Sequence, residues 1–125
     1  MKRKGFFLTG LICLFCVLAA LTSCKKNREC TGIVHTYTLN EGGIKVPVGG
    51  CELVIGDEKF APEVYRKVVT DANGYYEGTW SREAYLLVEA KKPFNTEQYY
   101  HGIGYIHLET GNVTELSLQL ELRKY

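Results

Sequence analysis

The stretch Glu115-Leu116-Ser117-Leu118-Gln119-Leu120-Glu121-Leu122 alternates polar and apolar residues without a break. Side chains of an extended chain point to opposite faces in turn, so a period of two puts Leu116, Leu118, Leu120 and Leu122 on one face. That pattern predicts a half-buried β-strand over 113–123. Two other segments repeat it. Cys51, Leu53 and Ile55 alternate with Glu52 and Val54 in a strand near 50–56, and Leu86, Val88 and Ala90 alternate with Leu87, Glu89 and Lys91 in a strand near 84–91. Between residues 30 and 125 no apolar pattern at i, i+3, i+4 is sustained, so no helix is expected.

Turn residues separate these runs. Asn40-Glu41-Gly42-Gly43, Pro47, Gly49-Gly50 and Asp71-Ala72-Asn73-Gly74 lie between apolar segments. Asp bonds its own downstream backbone and Gly supplies positive φ, so Asp71–Gly74 predicts a hairpin between strands near 64–70 and 74–80. Further strands are expected near 30–38 and 99–108. Seven short strands at this spacing predict an all-β, two-sheet β-sandwich of the Ig-like or transthyretin-like kind.

Upstream of residue 24 the composition changes. Lys2, Arg3 and Lys4 precede an apolar run from Phe6 to Leu21 interrupted only by Thr9 and Gly10. At about 16 residues the run is short for a membrane span of ~20. A basic start, an apolar middle and small residues read as a signal peptide over 1–23. The remaining 102 residues hold twelve basic and fourteen acidic side chains, a net charge of −2. They have no clustered basic stripe, so no nucleic-acid partner is expected.

Leu21-Thr22-Ser23-Cys24 resembles the lipobox of bacterial lipoproteins. The resemblance implies cleavage before Cys24, diacylglyceryl attachment to its thiol and acylation of the new amino terminus, with palmitate as an expected acyl group. Residues 24–29 then form a tether and 30–125 the domain. The expected location is the cell envelope of a Gram-negative-type bacterium, on the outer membrane. Lys25, Lys26 and Arg28 do not resemble the acidic surface-export signal, which favours the periplasmic side over the cell surface. The membrane is a partner through lipid on Cys24, because two or three acyl chains at ~0.8 kcal/mol per CH₂ anchor stably.

Cys13 and Cys16 fall in the signal and Cys24 carries lipid, leaving Cys30 and Cys51. In an exported chain such a pair predicts a disulfide, with the strands that carry them side by side; two buried free thiols are the alternative.

Thr31-Gly32-Ile33-Val34, Val46-Pro47-Val48-Gly49-Gly50-Cys51-Glu52-Leu53-Val54 and Val69-Thr70-Asp71-Ala72-Asn73-Gly74-Tyr75-Tyr76 together resemble the carboxypeptidase regulatory-like domain. That family opens on Gly-x-Val, carries Pro-x-x-Gly-Ala-x-Val in its second strand and has a Thr-Asp-x-x-Gly-x-Phe/Tyr hairpin. The resemblance spans roughly 31–80 and implies a seven-stranded transthyretin-like sandwich. Cys51 replaces the usual Ala, and Thr36–Lys45 exceeds a minimal turn. These motifs are structural and imply no reaction.

Residues for chemistry are sparse. His101, Tyr105 and His107 share one strand face, but without the His-x-His of intradiol dioxygenases they read as an exposed polar face, and no metal or cofactor is expected. The terminus Leu122-Arg123-Lys124-Tyr125 lacks the Tyr-Arg-Gly-Ser of hydroxyisourate hydrolases. Ser81 and Ser117, the only serines after the signal, lie outside any Gly-x-Ser-x-Gly. No catalytic residue is assigned and no enzyme is expected. Aromatics are abundant: nine Tyr, Trp80 and two Phe follow the signal. Tyr75, Tyr85, Tyr99 and Tyr105 fall on outward positions and form a candidate binding surface, while Trp80 is placed in the core. The leading expectation is a non-catalytic envelope protein that binds or assembles with another envelope protein. A glycan-binding module using Tyr and Trp is the alternative, and a small hydrolase ranks last.

Overall fold

A computed structural model describes residues 28–125. The signal, the lipobox and Cys24 lie outside the described residues. Nine strands follow in order: β1 (Cys30–Leu39), β2 (Lys45–Pro47), β3 (Glu52–Ile55), β4 (Arg66–Val69), β5 (Tyr75–Trp80), β6 (Ala84–Pro93), β7 (Gln98–Leu108), β8 (Val113–Gln119) and β9 (Glu121–Lys124). They form a four-stranded and a five-stranded sheet, and no helix occurs among the described residues. The all-β, two-sheet architecture agrees with the alternation in the sequence.

In the first sheet β1 is central. Along one edge it pairs with β8, parallel, from Thr31↔Val113 to Tyr37↔Gln119. Along the other it pairs with β5 over Cys30–His35 and with β2 over Tyr37–Leu39, both antiparallel. The second sheet is antiparallel throughout, in the order β4-β3-β6-β7-β9. Val34, Trp80 and Leu118 from the first sheet meet Leu53, Ile55, Val88 and Ile106 from the second in one core. The inward residues expected for β3 and β6 are all buried, and Trp80 is buried too, its Nε1 donating to the Val64 carbonyl at 3.0 Å.

The count of seven strands is corrected to nine for two reasons. Lys45–Pro47 adds a short strand beside the end of β1. The long strand at 113–123 divides at Leu120: β8 belongs to the first sheet and β9 to the second. The same leucine alternation therefore serves two sheets. Leu118 and Leu120 are buried, but Leu122 is 45% exposed because the chain has changed layers before it. Gly102 and Gly104 of β7 make room for that crossing. A Cβ on either would stand 2.7 Å from a methyl of Leu120 or Leu118 respectively.

The hairpin expected at Asp71–Gly74 is also corrected. The turn itself forms: Asp71 Oδ1 accepts from the Asn73 and Tyr75 amides at 2.8 and 3.0 Å, and Gly74 has φ 70°. Yet β4 and β5 do not pair. After the single rung Asp71 N to Tyr75 O, the Thr70 amide donates to Cys51 and Gly74 O accepts from Thr36, one in each layer. The turn is a corner between sheets. Thr36 holds the corner, its buried hydroxyl donating to the Val48 carbonyl at 2.7 Å.

The Cys30–Cys51 disulfide and the side-by-side strands it needed are not present. Both cysteines are free and fully buried. Cys30 opens β1 opposite Trp80, whereas Cys51 Sγ lies 3.3 Å from the Val48 carbonyl, beside Thr36. Six strand residues at ~3.3 Å each, about 20 Å, separate Cys30 from Thr36. A disulfide requires Cα atoms within about 7 Å. The alternative of two buried thiols is what the fold contains.

Candidate functional site

The outer face of β6 and β7 carries the largest concentration of uncovered aromatic and aliphatic side chains. Their register, from Ala84↔Leu108 to Pro93↔Tyr99, is the longest among the described residues, and no described element covers Tyr85, Leu87, Ile103 or Tyr105. Direct cross-strand pairs on that face are Tyr85 with His107, Leu87 with Tyr105, and Glu89 with Ile103. The Tyr85 and Tyr105 rings stack at 5.4 Å with 13° between planes, and His107 meets Tyr85 edge-on at 5.7 Å. Tyr85, Leu87, Ile103 and Tyr105 remain 68, 38, 55 and 58% exposed. Such pairs stabilise a sheet modestly and leave their outer surfaces dry-seeking.

Further along the face the chemistry turns polar. His101 lies 3.8 Å from Glu89, and Lys91 Nζ stands 4.6 Å from the Tyr99 ring centre. Tyr99 packs on Tyr125 at 4.9 Å. Tyr99 thus shares the face with Tyr85 and Tyr105 but belongs to a separate cluster, six residues or ~20 Å from Tyr105.

Tyr75 is elsewhere. It stands on the outer side of the first sheet, opposite His35 on β1, with ring centres 5.3 Å apart. Its half-covered ring loses solvation, and the carboxylates of Glu77, Glu115 and Asp71 add negative charge, so its phenol titrates above the ordinary value of 10.0. Beside it a shallow hollow of about 320 Å³ is lined by His35, Tyr37, Lys45, Asn73, Glu115 and Ser117. His35 Nε2 is 3.9 Å from Glu115, and Lys45 Nζ lies over Tyr37 at 4.6 Å.

The four tyrosines proposed as one surface therefore divide into a stacked pair, a neighbour at the far end of the same face, and one on the opposite layer. The sequence pattern does not single out Ile103, although its odd position on β7 gives it the same face as Tyr105. Alternation turns Leu87 outward but does not join it to Tyr105, because cross-strand register is invisible in a single strand's pattern. Among the described residues no group of three or more His, Cys, Asp or Glu is placed to hold a metal ion.

No family model, curated protein or solved structure matches the chain.

Proposed function

We propose that the chain is a lipid-anchored, non-catalytic protein of the cell envelope that docks another envelope protein through the outer face of β6 and β7. The observation that carries this reading is the uncovered ladder of Tyr85, Leu87, Ile103 and Tyr105. It lies on an open sheet face and outside the hollows lined by His35 and by Gly50, and exposed apolar patches rich in Tyr suit protein partners. The partner face it fits is itself apolar at its centre. The lipobox at Leu21–Cys24 supports anchoring by acyl chains on Cys24, on the periplasmic side of the outer membrane. The turn at Asp71–Gly74 and the two-layer fold support a carboxypeptidase regulatory-like, transthyretin-like domain.

In-cell photocrosslinking tests the reading. A photoreactive residue at Tyr105 is expected to give one discrete protein adduct, and Leu87→Ser is expected to remove it. No adduct from Tyr105 refutes the docking face. The glycan reading has its own observation, the hollow holding Tyr37, Lys45 and Asn73. Glycan capture abolished by Tyr37→Ala, with no effect of Leu87→Ser, would shift the assignment to that hollow.

A further inference from the structure

We infer that the end of the sandwich bearing Phe60 rests on the lipid bilayer, with the Phe60 ring seated among the headgroups. The inference rests on the proposed anchoring at Cys24 and concerns how the anchored domain is oriented.

The strands share two ends. At one end lie the start of β1, the end of β5, the start of β6 and the end of β7, joined by the registers Cys30↔Trp80 and Ala84↔Leu108. The described chain enters there, since Gly111 N donates to Glu29 O and Thr31 N to Asn112 O. Only three residues lie between Cys24 and Arg28, four Cα steps with a reach of at most about 14 Å. A lipid on Cys24 therefore holds this end close to the membrane and turns the opposite end, with Ile44 and Tyr125, away from it.

The loop 57–65 between β3 and β4 occupies the same end, because Trp80 Nε1 donates to Val64 O and Arg82 pairs with Glu63 at 2.5 Å. Phe60 is 89% exposed, the most exposed large apolar side chain among the described residues. The loop that presents it is firmly built. Lys59 N donates to Asp57 Oδ1, Ala61 N to Asp57 O and Val64 N to Ala61 O, while Val64 is buried and Ala61 packs on the core. The flanking residues thus turn inward and hold the ring out.

The charges at this end argue for apolar seating rather than attraction to anionic lipid. Asp57, Glu58, Glu63, Glu83, Glu109 and Glu29 are balanced by Arg28, Lys59, Arg66 and Arg82 together with Lys25 and Lys26 of the tether sequence, so this end has no net positive charge. The contact is therefore expected to be insensitive to the fraction of anionic lipid. Strands standing on the membrane by one end present the β6–β7 face sideways, toward a partner that also lies against the bilayer.

The test uses the acylated chain in phosphatidylcholine vesicles containing a lipid-borne nitroxide. Phe60→Cys and, separately, Ile44→Cys carry an environment-sensitive dye. Cys30 and Cys51 are fully buried and the parent chain is expected to take up no dye. Trp80 emission reports that each variant is folded. Intact mass first establishes whether Cys24 is acylated. With acylation, the dye at position 60 is expected to be blue-shifted and quenched at least three-fold more strongly than the dye at 44, with little change when phosphatidylglycerol is added. Equal quenching at the two positions, or stronger quenching at 44, overturns the orientation while leaving the anchor intact. An unmodified Cys24 overturns the anchor and the orientation with it.

Discussion

Replacing Gly104 by Ala probes how β7 and β8 close the two layers. A Cβ at Gly104 would stand 2.7 Å from a methyl of Leu118 and 3.4 Å from one of Leu116. Leu118 is 3% exposed, so its side chain has little room to yield. Overpacking of this kind costs ~1–3 kcal/mol. The lost backbone freedom of the unfolded glycine offsets roughly 0.5–1 kcal/mol. The net expectation for Gly104→Ala is a loss of about 1 kcal/mol. At Gly102 a Cβ would meet the Gln119 carbonyl oxygen at 2.9 Å as well as Leu120, and backbone cannot step aside as a methyl can. Gly102→Ala should therefore cost about 2 kcal/mol or more. Urea unfolding followed through Trp80, the sole tryptophan, measures both. Leu118→Ala alone should cost ~2–5 kcal/mol by leaving a cavity. Combined with Gly104→Ala it should cost less than the sum, since the added methyl fills that space, with a coupling of about 1 kcal/mol. A neutral Gly104→Ala together with strict additivity in the double variant would refute the packing argument.

Other outcomes follow from the same geometry. Cys30 and Cys51 should react with iodoacetamide only after unfolding, and dithiothreitol should leave the thermal midpoint unchanged; an intact mass two hydrogens short of the dithiol would contradict this. Thr36→Val removes the donor to Val48 O and should cost about 1–2 kcal/mol, read by urea midpoint. The raised pKa of Tyr75 means its contribution is fully present below pH 10.0 and fades as pH rises through the folded value, so Tyr75→Phe should flatten the decline in stability above that pH relative to the parent chain. Tyr105→Ser should change the thermal midpoint by under ~3 °C, because the ring is mostly solvated, while abolishing the adduct formed by a photoreactive residue placed instead at Ile103.

The strands were legible because alternation reports which face a residue occupies. Leu53, Ile55, Val88 and Trp80 stand inside as their positions require. Alternation does not report which strand lies alongside. Asp71–Gly74 has every residue a hairpin turn needs, yet the strands on either side go to different layers after one rung. The continuous leucine pattern at 116–122 concealed a change of sheet, since crossing between layers at Leu120 preserves the period of two. The cysteine pair misled for a related reason: spacing along the chain carries no information about the ~20 Å between Cys30 and the corner where Cys51 sits. The aromatic surface was half legible. Outwardness could be read for Tyr75, Tyr85, Tyr99 and Tyr105, but only register joins Tyr85 to Tyr105 and sends Tyr75 to the other side.

The parallel pairing of β1 with β8 has a kinetic consequence. Thr31 cannot find Val113 until the 81 residues between them have been made, and β8 lines a full edge of the central strand of its sheet. Folds dominated by such distant pairings form slowly, in roughly milliseconds to seconds, because loop closure precedes the contacts that reward it. On the proposed export to the cell envelope, that delay favours threading across a membrane. One edge of β1 then stays unsatisfied, and the sheet incomplete, until residues 113–119 are free to pair with it.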